Sequence, residues 1–346
     1  MTNSIEGTAT TVPQRTRPPS GSTGHGIAPA PNNDDGATTP VAEPTRRPGR
    51  SLVHGLLTNR KAATGALILG VFIASALLAP VLYPDDPSRI TALASQPPSS
   101  DYPLGTTAKG QDVMALTMHG ARSSLFVGFT VGIAATFVGL LVGLASAYFG
   151  KLIDDALSLL TNVFLLLPGL PLLVILAAFL PPGLGTVVLV LIVTGWAGSA
   201  RVLRSQALSI RAKDFVAAAV VAGERPLRIM FREILPNMAS IVMGTLLACV
   251  IYGIGAQAGL EFLGLGDVST VSWGTNLYWA SNDGALLVGA WWAFIPSGLC
   301  IALVAFSLAL INYAVDEVTN PRLRKVTFRA GKRGGSTSAT TRKASA

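Results

Sequence analysis

The chain has 346 residues, of which half are hydrophobic and only 13% are charged, and its mean hydropathy is +0.52. This composition is typical of a polytopic membrane protein rather than a soluble one. The net charge of +8 would indicate nucleic-acid binding only if the basic residues shared one face, and their distribution along the chain excludes that. The two cysteines, Cys249 and Cys300, both lie in apolar runs and have no disulfide or zinc-binding spacing.

Residues 1–50 are rich in Pro, Gly, Ser and Thr and have no apolar periodicity, so we expect a disordered tail. The first long apolar run after this tail carries no charge and is long enough to span a hydrocarbon core of roughly 30 Å. The fourth run is the shortest. Together the runs predict an all-α polytopic fold with six transmembrane helices, at about 62–83, 123–149, 154–180, 184–200, 237–262 and 287–313.

These runs divide the chain into four parts. The first is the tail at 1–50, and the second is the first transmembrane helix with an outer loop at 51–122. A core transmembrane domain follows at 123–318 and contains a cytoplasmic loop at 201–236. The last part is a basic, disordered tail at 319–346.

The distribution of Lys and Arg predicts which side of the membrane each loop occupies. Six spans put both termini on one side, and that side carries all of the 26 Lys and Arg residues except Arg89, Lys109 and Arg122. We therefore expect both termini and the loop at 201–236 to be cytoplasmic. The basic pI follows from this topology, with some attraction of the basic tails to anionic lipid head groups.

Three residues of the spans are candidates for lining a translocation pathway. Pro168 and Pro171 interrupt the third run, and proline in a span frees a carbonyl and bends the helix. Such a bend either lines a pathway or is a fixed kink. Glu261 lies near the end of the fifth run, where a carboxylate is costly. It is either a residue at the outer end of the pathway or an interface carboxylate that reaches water.

The second run contains two pairs of glycines, Gly128 with Gly132 and Gly139 with Gly143. Small residues one helical turn apart let two membrane helices approach closely. The spacing fits packing inside this subunit and contact with another subunit equally well.

The segment 213–237 is the main charged interruption between two apolar runs in the second half of the chain. It is cationic, and it is predicted to form two amphipathic helices separated at Gly223, with Pro226 in the first turn of the second. The expected apolar faces are Phe215, Ala218, Ala219 and Ala222 on the first helix, and Leu227, Met230, Phe231 and Ile234 on the second. An amphipathic helix pair of this kind lies on lipid or docks into the groove of a partner.

This segment resembles the coupling loop of the membrane subunits of binding-protein-dependent ABC importers. The resemblance is carried by Ala217-Ala-Ala219, by Gly223 and by Phe231-Arg-Glu-Ile-Leu-Pro-Asn237, which match the "EAA…G…LPN" pattern. In that family the loop inserts into a cleft on a separate ATPase subunit. The resemblance implies the following coupling-loop residues: Asp214, Phe215, Ala218, Ala219, Gly223, Arg228, Phe231, Leu235, Pro236 and Asn237.

Other segments resemble the dipeptide, oligopeptide and nickel branch of the same family. Tyr102–Asp112 with Gly120–Leu125 is similar to its "HPLGTD..GRD…GARVSL" segment, and Gly195–Gln206 to its "W…AR..R.Q" lead into the coupling loop. Gly259–Gly266 with Ser272–Gly274 resembles "LSFLGLG…..SWG", and Asp316–Arg324 resembles the "D…DPRL" ending.

The resemblance implies the type I ABC importer permease fold and a permease subunit in the plasma membrane of a bacterium. It also implies a heterodimer with a second homologous permease, two ABC ATPase subunits and an extracytoplasmic solute-binding protein. ATP belongs to the partner subunits, so the chain is expected to bind no cofactor and not to be an enzyme. Its own residues agree, because no G-x-x-x-x-G-K-[ST] motif and no metal-ligand cluster occur in the sequence.

The implied solutes are di- and oligopeptides, with nickel and short oligosaccharides as alternatives within the same machinery. A rival class is the ion-gradient-driven secondary transporter. That class usually shows internal hydropathy repeats and charges at the midplane of the membrane, and this sequence shows neither.

Overall fold

The computed structural model describes residues 59–319, so the predicted tail at 1–50 and nearly all of the one at 319–346 lie outside it. The described chain is helical, apart from turns and an isolated bridge between Thr106 and Asp112. Its elements in chain order are α1 (Arg60–Leu82), α2 (Val113–Phe149), α3 (Lys151–Leu166), α4 (Gly169–Phe179), α5 (Leu184–Arg211), α6 (Asp214–Val221), α7 (Pro226–Arg228), a π-helical turn (Ile229–Ile234), α8 (Leu235–Asn237), α9 (Ala239–Phe262), α10 (Trp273–Asn282), a 3-10 turn (Trp291–Ala293) and α11 (Ile295–Thr319).

Five helices of the described range are long and apolar enough to cross a membrane, namely α1, α2, α5, α9 and α11 with the 3-10 turn before it. The remaining predicted span, the third at about 154–180, consists of α3 and α4, which meet at a short break with an angle of 88°. The predicted fold class is confirmed, with six spans when this bent pair is counted as one.

The corner between α3 and α4 is sharper than the bend predicted from the two prolines. Pro168 is the N-cap of α4, and Pro171 lies in the first helical turn, where a missing N–H leaves no helical bond unmade. Leu167, directly before Pro168, has extended backbone angles, as the residue before a proline prefers. The prolines therefore end one helix and begin another instead of kinking a continuous span.

Two helices extend beyond the predicted spans, one at its end and one at its start. The fourth span was expected at 184–200, but α5 continues to Arg211, because Leu203, Ala207 and Ile210 extend its buried face at helical spacing. The predicted loop at 201–236 therefore begins with almost three turns of helix. The second span likewise begins at Val113, where the Asp112 side chain accepts a hydrogen bond of 2.8 Å from the Met114 N–H.

The glycine pairs of α2 pack inside this chain, which settles the question that their spacing left open. A Cβ atom added at Gly132 would lie 2.3 Å from Cγ2 of Val250 on α9, and one at Gly139 would lie 2.0 Å from Oγ of Ser199 on α5. Gly128 also faces α9, and Gly143 also faces α5. The central helix α2 thus meets both neighbours at close to backbone distance.

A buried tryptophan fastens α10 to the N-terminal part of α2. Trp273 is fully buried, its ring N–H donates to the carbonyl of Thr117 at 3.0 Å, and its backbone N–H donates to Oγ of Ser124 at 3.2 Å. Gly120 makes room for it, because a Cβ there would lie 3.1 Å from the indole ring. The apolar core around Trp273 includes residues of α1, α2, α9 and α11.

Candidate coupling segment

Residues 213–237, here called the coupling segment, form two helical pieces as predicted. The first piece, α6, ends at Gly223, which has φ of +76°. The Gly223 N–H donates to the Val220 carbonyl at 3.0 Å, and the Glu224 N–H donates to the Ala219 carbonyl at 3.2 Å. This pattern is a Schellman ending, which places Gly223 at the position that favours a residue without a side chain.

The second piece begins with Pro226 at the first helical position and runs through a π-helical turn at Ile229–Ile234. Proline at position 236 clashes with the carbonyl four residues earlier in a regular helix, and that residue, Arg232, lies within the π-helical turn. The wider turn therefore lets the chain pass Pro236 without a break. Asn237 closes this piece by donating from its side-chain amide to the Glu233 carbonyl at 2.7 Å.

One face of the coupling segment is embedded in the core of this chain. Its buried residues pack against the inner ends of α2 and α5. They are Val216, Ile229, Met230 and Ile234, and Met238, directly after the segment, lies in the same cluster. The predicted apolar face of the second piece is divided, because Met230 and Ile234 are buried whereas Leu227 and Phe231 are exposed. The prediction also missed Val216, which is the buried residue of α6. The shortness of α6 explains the miss, because one inward side chain in eight residues leaves no periodic signal.

The opposite face exposes large apolar side chains. Phe215 is 43% exposed, Phe231 44%, Leu227 64% and Val221 89%. Of the other predicted coupling residues, some are also exposed: Asp214, Ala218, Gly223, Arg228, Pro236 and Asn237. Ala219 and Leu235 are half-buried and contact the core, and Arg228 pairs with Glu224 at 3.1 Å. The segment thus has an anchored face and a free apolar face, which is typical of a docking element.

A polar cluster that the sequence did not reveal holds together the C-terminal parts of α2 and α5 and the first turn of α3. Arg204 on α5 makes two hydrogen bonds of 2.7 Å to the carboxylate of Asp154 on α3. Ser146 on α2 donates to the same carboxylate and accepts from Arg204 Nε at 2.9 Å. About two turns further along α5, Arg211 donates to the Ala147 carbonyl at 2.6 Å.

Glu261 lies inside the chain. Its side chain is 3% exposed and accepts hydrogen bonds from Ser272 Oγ and, at 2.9 Å, from Gln257 Nε2. The expectation that it reaches water is therefore wrong, because Ser272 at the start of α10 and the close approach of Gly274 cover it. Its carboxylate joins the outer end of α9 to the N-terminus of α10, and a role in the pathway stays a prediction.

Pro168 and Pro171, the other pathway candidates, lie on the surface of this chain at the corner between α3 and α4. Large apolar side chains beside them are also exposed, Leu170 at 70% and Leu166 at 83%. Such a surface faces lipid or another subunit.

The outer loops are fastened to one another by charge. Lys109 lies 3.1 Å above the ring centroid of Trp279 and 3.7 Å from the carboxylate of Asp283. Asp267 accepts hydrogen bonds from the side chain and backbone N–H of Ser269, and these bonds hold the pKa of its carboxyl below the usual range. Both acidic residues of this region are thus engaged within the chain.

Comparison with known proteins gives three consistent matches. Residues 135–325, more than half of the chain, match the family described as binding-protein-dependent transport system inner membrane component. The dipeptide transport system permease protein DppC of Bacillus subtilis is 32% identical over 275 residues, which cover 78% of this chain and 84% of that protein. The oligopeptide transport system permease protein OppC of the same organism is 31% identical, over 78% of this chain and 88% of that protein.

Among solved structures, an inward-facing crystal structure of the MetNI methionine ABC transporter contains a chain with a similar fold. The TM-score is 0.50 at 22% identity, and the match covers 60% of this chain and 98% of that one. At this identity the likeness speaks for the fold alone.

The family match, the identity to full-length relatives and the helical fold agree on a multi-pass inner membrane protein that serves transport and is not an enzyme. The chain belongs to the family of binding-protein-dependent transport system inner membrane components.

Proposed function

We propose that this chain is the permease subunit of an ATP-driven importer of di- and oligopeptides, and that its coupling segment docks onto a separate ATPase subunit. The observation that carries this proposal is the two-faced coupling segment. One face is buried against α2 and α5, and the other presents Phe215 and Phe231 in the open. Exposed aromatic side chains on a firmly supported element are the usual anchors of a protein interface.

The attachment of the coupling segment supports a lever mechanism. Val216 holds α6 in the core, and the Schellman ending at Gly223 fixes the angle at which the second piece leaves. A pull on the outward face therefore moves the inner ends of α2 and α5 directly. Closure of the ATPase pair around ATP supplies that pull, and the spans respond by exposing the pathway to the other side.

The orientation that this mechanism needs agrees with the charges of the described residues. One end of the bundle carries most of the basic residues, namely Lys151, Arg201, Arg204, Arg211 and those of the coupling segment. The other end carries few Lys or Arg residues. By the positive-inside rule, this excess supports a cytoplasmic coupling segment.

The peptide substrate is inferred from the relatives, which are named as dipeptide and oligopeptide transport permeases. The family description, a binding-protein-dependent transport system component, supports an extracytoplasmic binding protein as a further partner. We also propose a second homologous permease, which covers part of the exposed apolar surface. Uptake of labelled di- and oligopeptides, beside nickel as the alternative cargo, identifies the solute in cells that express the complete importer.

The docking proposal is tested by co-purification. A tagged chain expressed with its neighbours is expected to retain an ATPase subunit, and Phe215→Asp together with Phe231→Asp is expected to lower the retained amount at least about tenfold, as loss of a central aromatic anchor does.

The matched control is Ile90→Asp, which places the same charge at an exposed apolar residue of the outer segment. It is expected to retain the ATPase subunit. Equal retention in the double Phe variant and the parent would show that the outward face is not the docking surface.

A further inference from the structure

A cavity of about 170 Å³ lies between α2, α3 and α5, away from the docking face of the coupling segment. A single water needs roughly 10–15 Å³ on this measure, so the cavity has room for a larger polar group. Its polar lining consists of Ser146, Ser158, Thr161, Asn162, Arg201 and Arg204.

The cavity carries one positive charge without a counter-charge. Arg204 is neutralised by its two bonds to Asp154. Arg201 donates to the side-chain oxygen of Asn162 at 2.8 Å, and no carboxylate in residues 59–319 forms an ion pair with it. The amide N–H groups of Asn162 make no hydrogen bond within the same range, so the two residues present donors and charge together.

The position of the cavity along the membrane normal is given by α5. Arg201 is the first charged residue after the apolar run at 184–200, so its guanidinium lies at the depth where the hydrocarbon core gives way to head groups. A cation at that depth meets the phosphate groups of lipids.

An exposed apolar strip begins next to the cavity. Leu159, Val163 and Leu166 follow one another at helical spacing along α3, and Leu159 and Leu166 are three and four residues away from Asn162. They are 66%, 46% and 83% exposed. The acidic residue on this face, Asp155, is roughly two turns or 10 Å from Asn162 along the axis. A polar, cationic cavity that continues into an apolar strip matches the anionic head group and the apolar chains of a lipid.

We propose that this cavity binds the phosphate of an anionic membrane phospholipid, which is held by Arg201 and Asn162 while its acyl chains lie along Val163 and Leu166. The net positive charge of the lining favours a lipid with no cation in its head group. A bound lipid fills the gap between α3 and α5 and supports the ion pair behind it.

The test uses the full-length chain purified from membranes in a non-ionic detergent and titrated with phosphatidylglycerol, with phosphatidylcholine or with inorganic phosphate, and bound lipid is counted by native mass spectrometry. Arg201→Gln is expected to lower the affinity for phosphatidylglycerol about fivefold, the factor for losing one cationic contact at an anionic lipid surface. Arg225→Gln, which removes an exposed arginine of the coupling segment, is expected to leave the affinity unchanged.

Asn162→Asp provides a second variant that does not remove the arginine. Its carboxylate pairs with Arg201 and is expected to lower phosphatidylglycerol binding as much as Arg201→Gln does. Unchanged affinity in both variants overturns the proposal, and so does equal binding of phosphatidylcholine. Displacement of the lipid by equimolar inorganic phosphate would assign the cavity to a free ion instead. A disulfide that joins the Val163→Cys variant to a cysteine of a companion permease would assign the strip to a protein contact, which also overturns the proposal.

Discussion

Asp154 on α3 and Arg204 on α5 form a two-pronged ion pair with both N–O distances at 2.7 Å. Both side chains are only partly exposed. The helix α3 ends at the sharp corner before Pro168. Among the described residues, this ion pair is the strongest polar contact between α3 and the rest of the chain.

Breaking this pair is expected to destabilise the chain. Asp154→Asn leaves Arg204 without a counter-charge and should lower the free energy of unfolding by about 1–2 kcal/mol, a value discounted for partial exposure. Thermal unfolding in detergent measures the change. The control is Asp155→Asn, whose side chain is exposed and outside the pair. Equal midpoints for the Asp154 and Asp155 variants would contradict the prediction.

Gly223→Pro is expected to abolish solute uptake while leaving membrane insertion intact. Proline fixes φ near −65°, whereas Gly223 has φ of +76° and donates its N–H to Val220. Uptake per inserted molecule in cells is the measurement.

Asparagine at the same position is the matched control for the proline variant, because it tolerates left-handed backbone and a Cβ there meets no atom within 4 Å. Gly223→Asn is expected to keep most of the uptake. Normal uptake with Gly223→Pro would contradict the lever mechanism, and loss with both variants would assign the effect to bulk on the docking face.

The glycine contacts of α2 predict a strong difference between two Gly→Ala changes. Gly132→Ala drives a methyl group to 2.3 Å from Val250 and is expected to cost about 1–3 kcal/mol of stability by overpacking. Gly255→Ala on α9 meets no atom within 4 Å in this chain and is expected to be neutral or slightly stabilising. Thermal unfolding of the two variants side by side checks this, and similar losses would contradict it.

The cover over Glu261 predicts a result for a double substitution. A Cβ at Gly274 would lie 2.5 Å from the Glu261 carboxylate and 2.8 Å from Cα of Ala258, so Gly274→Ala is expected to cost about 1–3 kcal/mol. Adding Glu261→Ala removes the first clash but not the second. Unfolding midpoints should therefore show only partial rescue, and full rescue would mean that α10 moves away from α9 freely.

The sequence predicted the spans well because a hydrocarbon environment selects long apolar runs, which are visible without any tertiary information. It could not predict the 88° corner, because proline at a helix start and proline in a kink look alike in sequence. It also could not tell that Arg201 and the following residues continue α5. A charged residue ends an apolar run, but it does not end a helix.

The coupling segment shows the same division. Gly223 and Pro226 predicted its two helical pieces, since each residue has a backbone preference that acts locally. The burial of Val216 and the pairing of Asp154 with Arg204 depend on tertiary contacts: the cluster around Val216 includes Leu144 and Ala147 of α2, and Asp154 and Arg204 are 50 residues apart in sequence. One signal was present for the pair, the adjacent Asp154 and Asp155 near the start of an apolar run. It names no partner by itself.

The glycine seams of α2 have a consequence for motion. Helices whose main chains touch cannot slide past each other without first coming apart, so α2, α5 and α9 must tilt as a single block. In the lever mechanism proposed above, we expect the pathway to open when these three helices tilt together against α1 and α3. A methyl group added at one of the α2 glycines would push these helices apart. It is expected to prevent the opening motion without changing a residue at either end of the bundle.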